Sequence, residues 1–246
     1  MVHLRLIGDV HGDYPAYKRL LREARYSIQL GDLGFDYSDI ADVDPEYHKF
    51  LPGNHEGYHK ELQEGVRPEE VQGDRFYEIV GEQVYRYVRL PPNFLGHYGV
   101  WKIPECRPEG LRGEVFFVRG ANSIDRRYRT FGVDWFHEEQ LGYTEFNEAI
   151  RAYEQAKPDF VVSHDCPAMF LQDLVGGTWG HLEHTMTNAG LQRMWEIHEP
   201  KLWVFAHHHR KWRFRRGRTL FVCLNILSVM DFNEELRPRR KLKPRA

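Results

Sequence analysis

His3-Leu4-Arg5-Leu6-Ile7-Gly8-Asp9-Val10-His11-Gly12 is a short apolar run that stops at a glycine and passes at once into polar residues. An apolar run of this length bounded by glycine reads as a buried strand, and glycine permits the sharp turn that follows it. The same grammar recurs. Ser27-Ile28-Gln29-Leu30 ends in Gly31-Asp32, and Lys49-Phe50-Leu51 ends in Pro52-Gly53-Asn54-His55-Glu56. Two further apolar runs end in polar residues without the glycine: Phe160-Val161-Val162-Ser163 in His164-Asp165, and Leu202-Trp203-Val204-Phe205-Ala206 in His207-His208-His209. Buried strands that carry polar groups at their carboxyl ends are the pattern of an open α/β sheet with its site at those ends.

Between the strands, helical spacing of Tyr17, Leu20, Leu21 and Ala24 predicts a helix over 13–24, and further helices are predicted over 136–156 and 183–198. The aromatic and β-branched stretch 76–119 predicts meandering strands with a loop over 104–113, and 219–224 predicts the last central strand. The 246 residues carry no repeat and no break in composition. One domain over 1–235 is expected, followed by a basic, flexible tail over 236–246.

Composition excludes several classes. The 34 basic and 36 acidic groups leave a net charge of −2, so bulk charge alone does not coat nucleic acid. No apolar run approaches the length of a spanning helix. Three scattered cysteines, Cys106, Cys166 and Cys223, form no disulfide framework, and Arg5, Asp9 and Asp13 leave no legible secretory leader. A cytoplasmic location is expected. Cys166 stands beside a candidate ligand and before a proline, which favours packing over nucleophilic chemistry.

The five strand ends present Asp9 and His11, Asp32, Asn54 and His55, His164, and His207 with His209. Mixed oxygen and imidazole donors suit divalent transition metals. Asp9 and His11 are two apart, as are His207 and His209, so an extended backbone would point each pair to one side and turn His208 away. Asp32 has two oxygens with which to bridge two ions. Two divalent ions, two carboxylates and a bridging hydroxide leave roughly one positive charge, which suits an anionic phosphate.

These motifs, in this order over residues 9–209, resemble the calcineurin-like metallophosphoesterase superfamily. The resemblance implies an α/β, four-layer α+β fold: a β-sandwich of two mixed sheets flanked by helices. It implies two divalent metal ions, Mn2+ being the first expectation and Fe, Ni, Co or Zn the others. Asp9, His11, Asp32 and His209 would hold one ion, and Asp32, Asn54, His164 and His207 the other. His55 would be the catalytic histidine, working with Asp32 by in-line attack of a metal-bridging hydroxide on a phosphate ester. The family's Gly-Asp-x-x-Asp is broken, since Phe35 takes the last place and Asp36 follows it. The carboxylate that orients the histidine is therefore displaced. No Asp-Arg-Gly of the protein phosphatases follows Asp32. Ala206-His207-x-His209 with Ser163-His164-Asp165-Cys166-Pro167 is similar to the lariat-debranching phosphodiesterases, and the stretch 120–126 resembles small phage and bacterial members.

Substrate contacts are expected from Arg119, Arg126, His208 and Arg210, with Arg127 and Arg129 flanking the same strand end. Trp179, His181 and His184 lie in a glycine-rich loop that is either cleft lining or loop packing. Lys211, Arg213 and Arg215 would share one face of a strand and Trp212, Phe214 and Arg216 the other, either as a phosphate-tracking surface or as a charge-protected edge. The expected partner is a phosphate ester, a nucleotide or nucleic-acid diester ahead of the alternatives. Those are a phosphomonoesterase, including a protein phosphatase, and a non-catalytic metal-binding scaffold on the same fold.

Overall fold

A computed structural model of the chain describes residues 2–34, 37–56, 60–62, 65–72, 77–80, 82–87, 90–107, 110–123, 125–131, 135–175 and 185–239. The chain runs β1 (Val2–Ile7), α1 (Tyr14–Leu21), β2 (Ala24–Gln29), β3 (His48–Phe50), β4 (Lys60–Leu62), β5 (Tyr77–Val80), β6 (Gln83–Tyr87), β7 (Tyr98–Lys102) and β8 (Glu114–Val118). It continues through α2 (Tyr143–Ala156), β9 (Phe160–Ser163), α3 (Leu171–Val175), α4 (Met186–Ile197), β10 (Leu202–Phe205), β11 (Trp212–Arg216), β12 (Thr219–Cys223) and β13 (Val229–Phe232).

Two mixed sheets form the sandwich. One has the order β13-β1-β2-β3 and the other β11-β12-β10-β9-β8-β7, while β4, β6 and β5 make a small third sheet. In the two large sheets the inner strands are parallel and β13, β11 and β7 run antiparallel to their neighbours, while the small sheet is antiparallel throughout. Period-two alternation sorts the side chains. Val115 and Phe117 of β8 and Leu202 and Val204 of β10 join Leu4, Leu6 and Ile28 in the core between the sheets. Phe116, Val118, Trp203 and Phe205 face the other way, onto Phe146, Ala149 and Tyr153 of α2 and Leu191 and Met194 of α4. Tyr14, Tyr17 and Leu21 of α1 cover the outside of the smaller sheet at Ile7 and Phe50. The result is the four-layer α/β architecture, with the carboxyl ends of β1, β2, β3, β9 and β10 brought to one place.

Several boundaries differ from the sequence expectation. The first helix stops at Leu21, and Ala24, Tyr26 and Ile28 already alternate into the core as β2. The helix expected over 136–156 is split: a single 3-10 turn, His137–Glu139, precedes α2, whose start is fixed by the Glu145 carboxylate accepting the Gly142 N–H at 3.1 Å. Strand β13 was not anticipated because Asp231 reads as polar. It lies opposite Arg5 of β1, and the guanidinium donates to both carboxylate oxygens at 2.7 and 2.9 Å. The chain also stays packed past residue 235, since Leu236 is buried and the Arg239 N–H donates to Asp231 O. The rest of the basic tail, 240–246, lies outside the described residues, as do Phe35, Asp36 and the loop residues Trp179, His181 and His184.

Candidate metal centre

Each strand end delivers its polar group through a tight turn. The carbonyl of Asp32 accepts the N–H groups of both Val10 and His11, at 2.9 and 2.8 Å, which clamps the β1 loop to the β2 loop. Glu56 clamps the β2 and β3 loops: one oxygen accepts from Leu33 N–H (2.8 Å) and Gly53 N–H (3.3 Å), and the other from the Tyr37 hydroxyl (2.9 Å). Burial, and then the nearby Asp32 charge, push the Glu56 carboxyl up to about 8. A side chain at Gly53 would strike Asp32 Oδ1 and His164, and one at Gly31, where φ is +106°, would strike the His164 ring. The glycines that punctuate the motifs are the space in which the donors meet.

The backbone of the donors departs from the sequence expectation. His11, Asp32, His207 and His209 all have positive φ, between +48° and +63°, so neither the Asp9-x-His11 nor the His207-x-His209 pair is extended. The pairs converge because each chain turns back on itself after the strand. Left-handed backbone at four non-glycine residues in one place is strain of the kind found at functional sites.

Two donor groups result. Asp9, His11 and His209 place one ligand atom each within 4.8 Å of one another, and so do Asp32, His164 and His207. In the first group the Nε2 atoms of His11 and His209 face each other at 2.8 Å, and Asp9 Oδ2 is 3.4 Å from His209 Nε2. That Asp9 oxygen is buried and accepts no hydrogen bond, while Oδ1 accepts the His207 N–H at 3.2 Å. A buried carboxyl oxygen without a hydrogen-bond partner, set against two imidazole nitrogens, fits a divalent cation, which would stabilise its ionised form. In the second group His164 Nδ1 donates to Leu30 O at 2.6 Å, which leaves Nε2 free to face Asp32 Oδ1 and Asn54 Oδ1, each at 3.2 Å.

Asp32 lies between the groups, with Oδ2 3.8 Å from His11 Nε2 and Oδ1 toward His164. Its Oδ1 also accepts the N–H groups of Asn54 (2.9 Å) and His55 (2.8 Å). Burial opposes its ionisation, but His164 outweighs burial and holds Asp32 well below the usual carboxylate range. The mirror effect operates on His164: burial disfavours its charge, and Asp32 and Asp9 carry it up to about 9. Burial raises Asp9 to about 8 and pushes His11, His207 and His209 down, which favours the neutral ring with one nitrogen open to a cation.

Asn54 is oriented by a chain that sequence reasoning did not find. Its Nδ2 donates to Ser123 Oγ (3.0 Å), and Ser123 donates to Glu139 Oε2 through its hydroxyl (2.7 Å) and its N–H (3.2 Å). The amide oxygen is thereby turned to the donor group. Burial raises Glu139 to about 7. The signal was the stretch 120–126 with a buried glutamate downstream, which nothing local ties to residue 54.

A cleft of about 340 Å3 opens beside the donors, lined by Asp32, Asn54, His55, Asp125, Arg129 and His207 to His209. His55 Nε2 meets Arg129 Nη2 at 3.0 Å, and Arg129 Nε donates to Asp125 Oδ1 at 2.6 Å. Arginine has no acceptor, so the His55 ring accepts at Nε2. Among the described residues the cleft partner of His55 is thus a cation where the resemblance implied a carboxylate. Burial, opposed by Asp32 and joined by Arg129, lowers its pKa.

The expected substrate contacts divide. Arg119 is buried and turned away, with Nη1 donating to Glu138 O at 2.7 Å, and neither it nor the exposed Arg126 lines the cleft. Arg210 is exposed and outside the lining. His208 does line it, but its Nε2 is engaged with Asp165 Oδ1 (3.0 Å) and Cys166 Sγ (3.3 Å) in a buried cluster behind the cleft. Of the arginines near that strand end, Arg129 is the one that reaches the site.

The sequence model described as calcineurin-like phosphoesterase matches residues 3–211. No curated protein gives a significant match. Among solved structures, a candidate 5'-nucleotidase from Staphylococcus aureus in complex with alpha-ketoglutarate is 14% identical with a TM-score of 0.48, over 96% of this chain and 52% of that one. The chain thus spans about half the length of that relative. The phosphopantetheinyl hydrolase of Mycobacterium tuberculosis is 11% identical with a TM-score of 0.43, over 91% of this chain and 89% of that one. A Streptococcus pneumoniae protein described as a predicted phosphoesterase is 10% identical with a TM-score of 0.35, over 98% and 94%.

Proposed function

The chain belongs to the calcineurin-like phosphoesterase family, and we propose that it is a dinuclear metal-dependent hydrolase of phosphodiesters of nucleotides or nucleic acid. The observation that carries the proposal is the place of Asp32, whose two oxygens reach toward two separate donor groups. Asp9, His11, Asp32 and His209 would hold one divalent ion and Asp32, Asn54, His164 and His207 the other. Such ions supply, when bound, an activated water nucleophile and neutralisation of the phosphate charge, and Mn2+ is the first to test.

The chain's own residues do the rest. Asp32 is held ionised beside His164, and Asp9, raised by burial, would give up its proton to a bound cation. Arg129, fixed by Asp125 and next to His55, places a permanent charge where the phosphoryl or leaving oxygen comes to rest. The His55 ring, with its proton at Nδ1, accepts from Arg129 and keeps the guanidinium in the cleft.

The preference for diesters rests on charge. Arg129 is the one arginine or lysine that lines the cleft among the described residues, and Asp125 already neutralises part of it. A dianionic monoester calls for more positive charge than this cleft offers, whereas a monoanionic diester does not. With Mn2+, turnover of bis-p-nitrophenyl phosphate is expected to exceed that of p-nitrophenyl phosphate. The reverse order would replace the diesterase with a phosphomonoesterase, and turnover of neither would remove the enzyme reading.

A further inference from the structure

The strand that leaves the site concentrates exposed positive charge. Three residues after His209 the chain enters β11, the outermost strand of the six-stranded sheet, paired on one side with β12. Arg210, Lys211, Arg213, Arg215 and Arg216 are all exposed. Some exposed arginines elsewhere meet acids, as Arg25 meets Glu105 at 2.6 Å, Arg107 meets Glu234 at 3.3 Å and Arg112 meets Asp159 at 2.9 Å, whereas others such as Arg19, Arg22 and Arg151 stand singly among the described residues. None of the five cations around β11 has an acidic partner among the described residues. Arg215 only donates to Arg218 O, and Arg216 lies over the Trp195 ring. Five exposed cations within seven residues, without acidic partners among the described residues, are a concentration that attracts a polyanion.

We infer that the exposed edge of β11 carries a single-stranded nucleic acid to and from the metal cleft. The inference rests on the phosphodiester reading above. Arg213 and Arg215 lie on one face of the strand, about 6.6–7 Å apart, and Lys211 immediately precedes the strand, between it and His209. This is close to the spacing of successive phosphates in an extended strand. On the other face Trp212 and Phe214 stack on each other, with centroids 5.7 Å apart, over Phe170. Phe214 is still 42% exposed, an open ring on which a base can lie. Binding is led by phosphate contacts and is indifferent to sequence.

The test is fluorescence anisotropy of a labelled single-stranded phosphorothioate 12-mer with metal-loaded protein. The triple variant Lys211→Ala, Arg213→Ala, Arg215→Ala is compared with wild type across a salt series. The variant is expected to bind about tenfold more weakly near 50 mM salt. Its slope of log K against log salt should flatten by about 2, from three lost contacts at ~0.7 each. Turnover of the small chromogenic diester, which reports the cleft alone, should stay within about twofold, which also verifies folding. Unchanged affinity and slope in the variant would overturn the inference, as would equal binding of polyglutamate by the wild type. A wild type that binds the 12-mer but turns over no diester would overturn the phosphodiester reading instead.

Discussion

Ser123→Ala removes one hydroxyl that touches no candidate ligand atom of the cation itself, yet it is expected to weaken one metal and spare the other. In the native chain the Ser123 hydroxyl hydrogen goes to Glu139, so its oxygen can only accept from Asn54 Nδ2, and the amide oxygen is forced toward His164 and the second donor group. Without Ser123 the amide is free to rotate and its buried N–H loses its partner, a loss of about 1–3 kcal/mol. At 1.4 kcal/mol per decade this is roughly a 5- to 150-fold change, in line with the 10- to 100-fold effect typical of groups that orient metal ligands. Calorimetric titration of Mn2+ into metal-free protein should show two binding steps in the wild type. In the variant one step weakens by about 10- to 100-fold, and the step assigned to Asp9, His11 and His209 stays within about threefold. Two steps weakened alike, or neither weakened, would refute the claim that Asn54 belongs to one group and is aimed by Ser123.

Asp32→Asn should abolish both binding steps and lower diester turnover by about a thousandfold, since several kcal/mol of charge stabilisation depend on the bridge; surviving activity would dismiss the shared carboxylate. Arg129→Ala should cost about 10- to 100-fold in kcat/KM for a diester, and Arg129→Lys should recover only part because it cannot donate to Asp125 and the substrate together; an unchanged rate would take Arg129 out of the site. In metal-free protein, His164 at about 9 and Asp9 and Glu56 at about 8 all hold protons in the folded state that the unfolded chain releases at lower pH. Stability of that form should therefore fall as pH rises from about 6.5 to 9, whereas metal-loaded protein, which has already given up the Asp9 and His164 protons, should fall less. Melting temperatures with and without chelator measure this, and a metal-free form that gains stability over the window would contradict the assignment.

Much of the site was legible because its grammar is local. A buried strand announces itself by a short apolar run, a turn by glycine, and a ligand by the residue that follows, all within ten positions, as in Ile7-Gly8-Asp9 or Leu30-Gly31-Asp32. The sequence also limited the chemistry, since Asp, Asn and His at five such ends point to divalent transition metals whatever the packing.

What tertiary structure alone decided is which distant groups meet. Arg129 reaches His55 across 74 positions and Ser123 reaches Asn54 across 69, while Arg119, equally plausible in sequence, turns to Glu138. The extended geometry inferred for Asp9-x-His11 and His207-x-His209 failed for a related reason: those turns are set by clamps between loops, such as the Asp32 carbonyl on His11, and not by their own residues. Local spacing encodes propensity. The partner of a long side chain depends on how two sheets and their loops come to rest against each other, and that is a property of the whole fold.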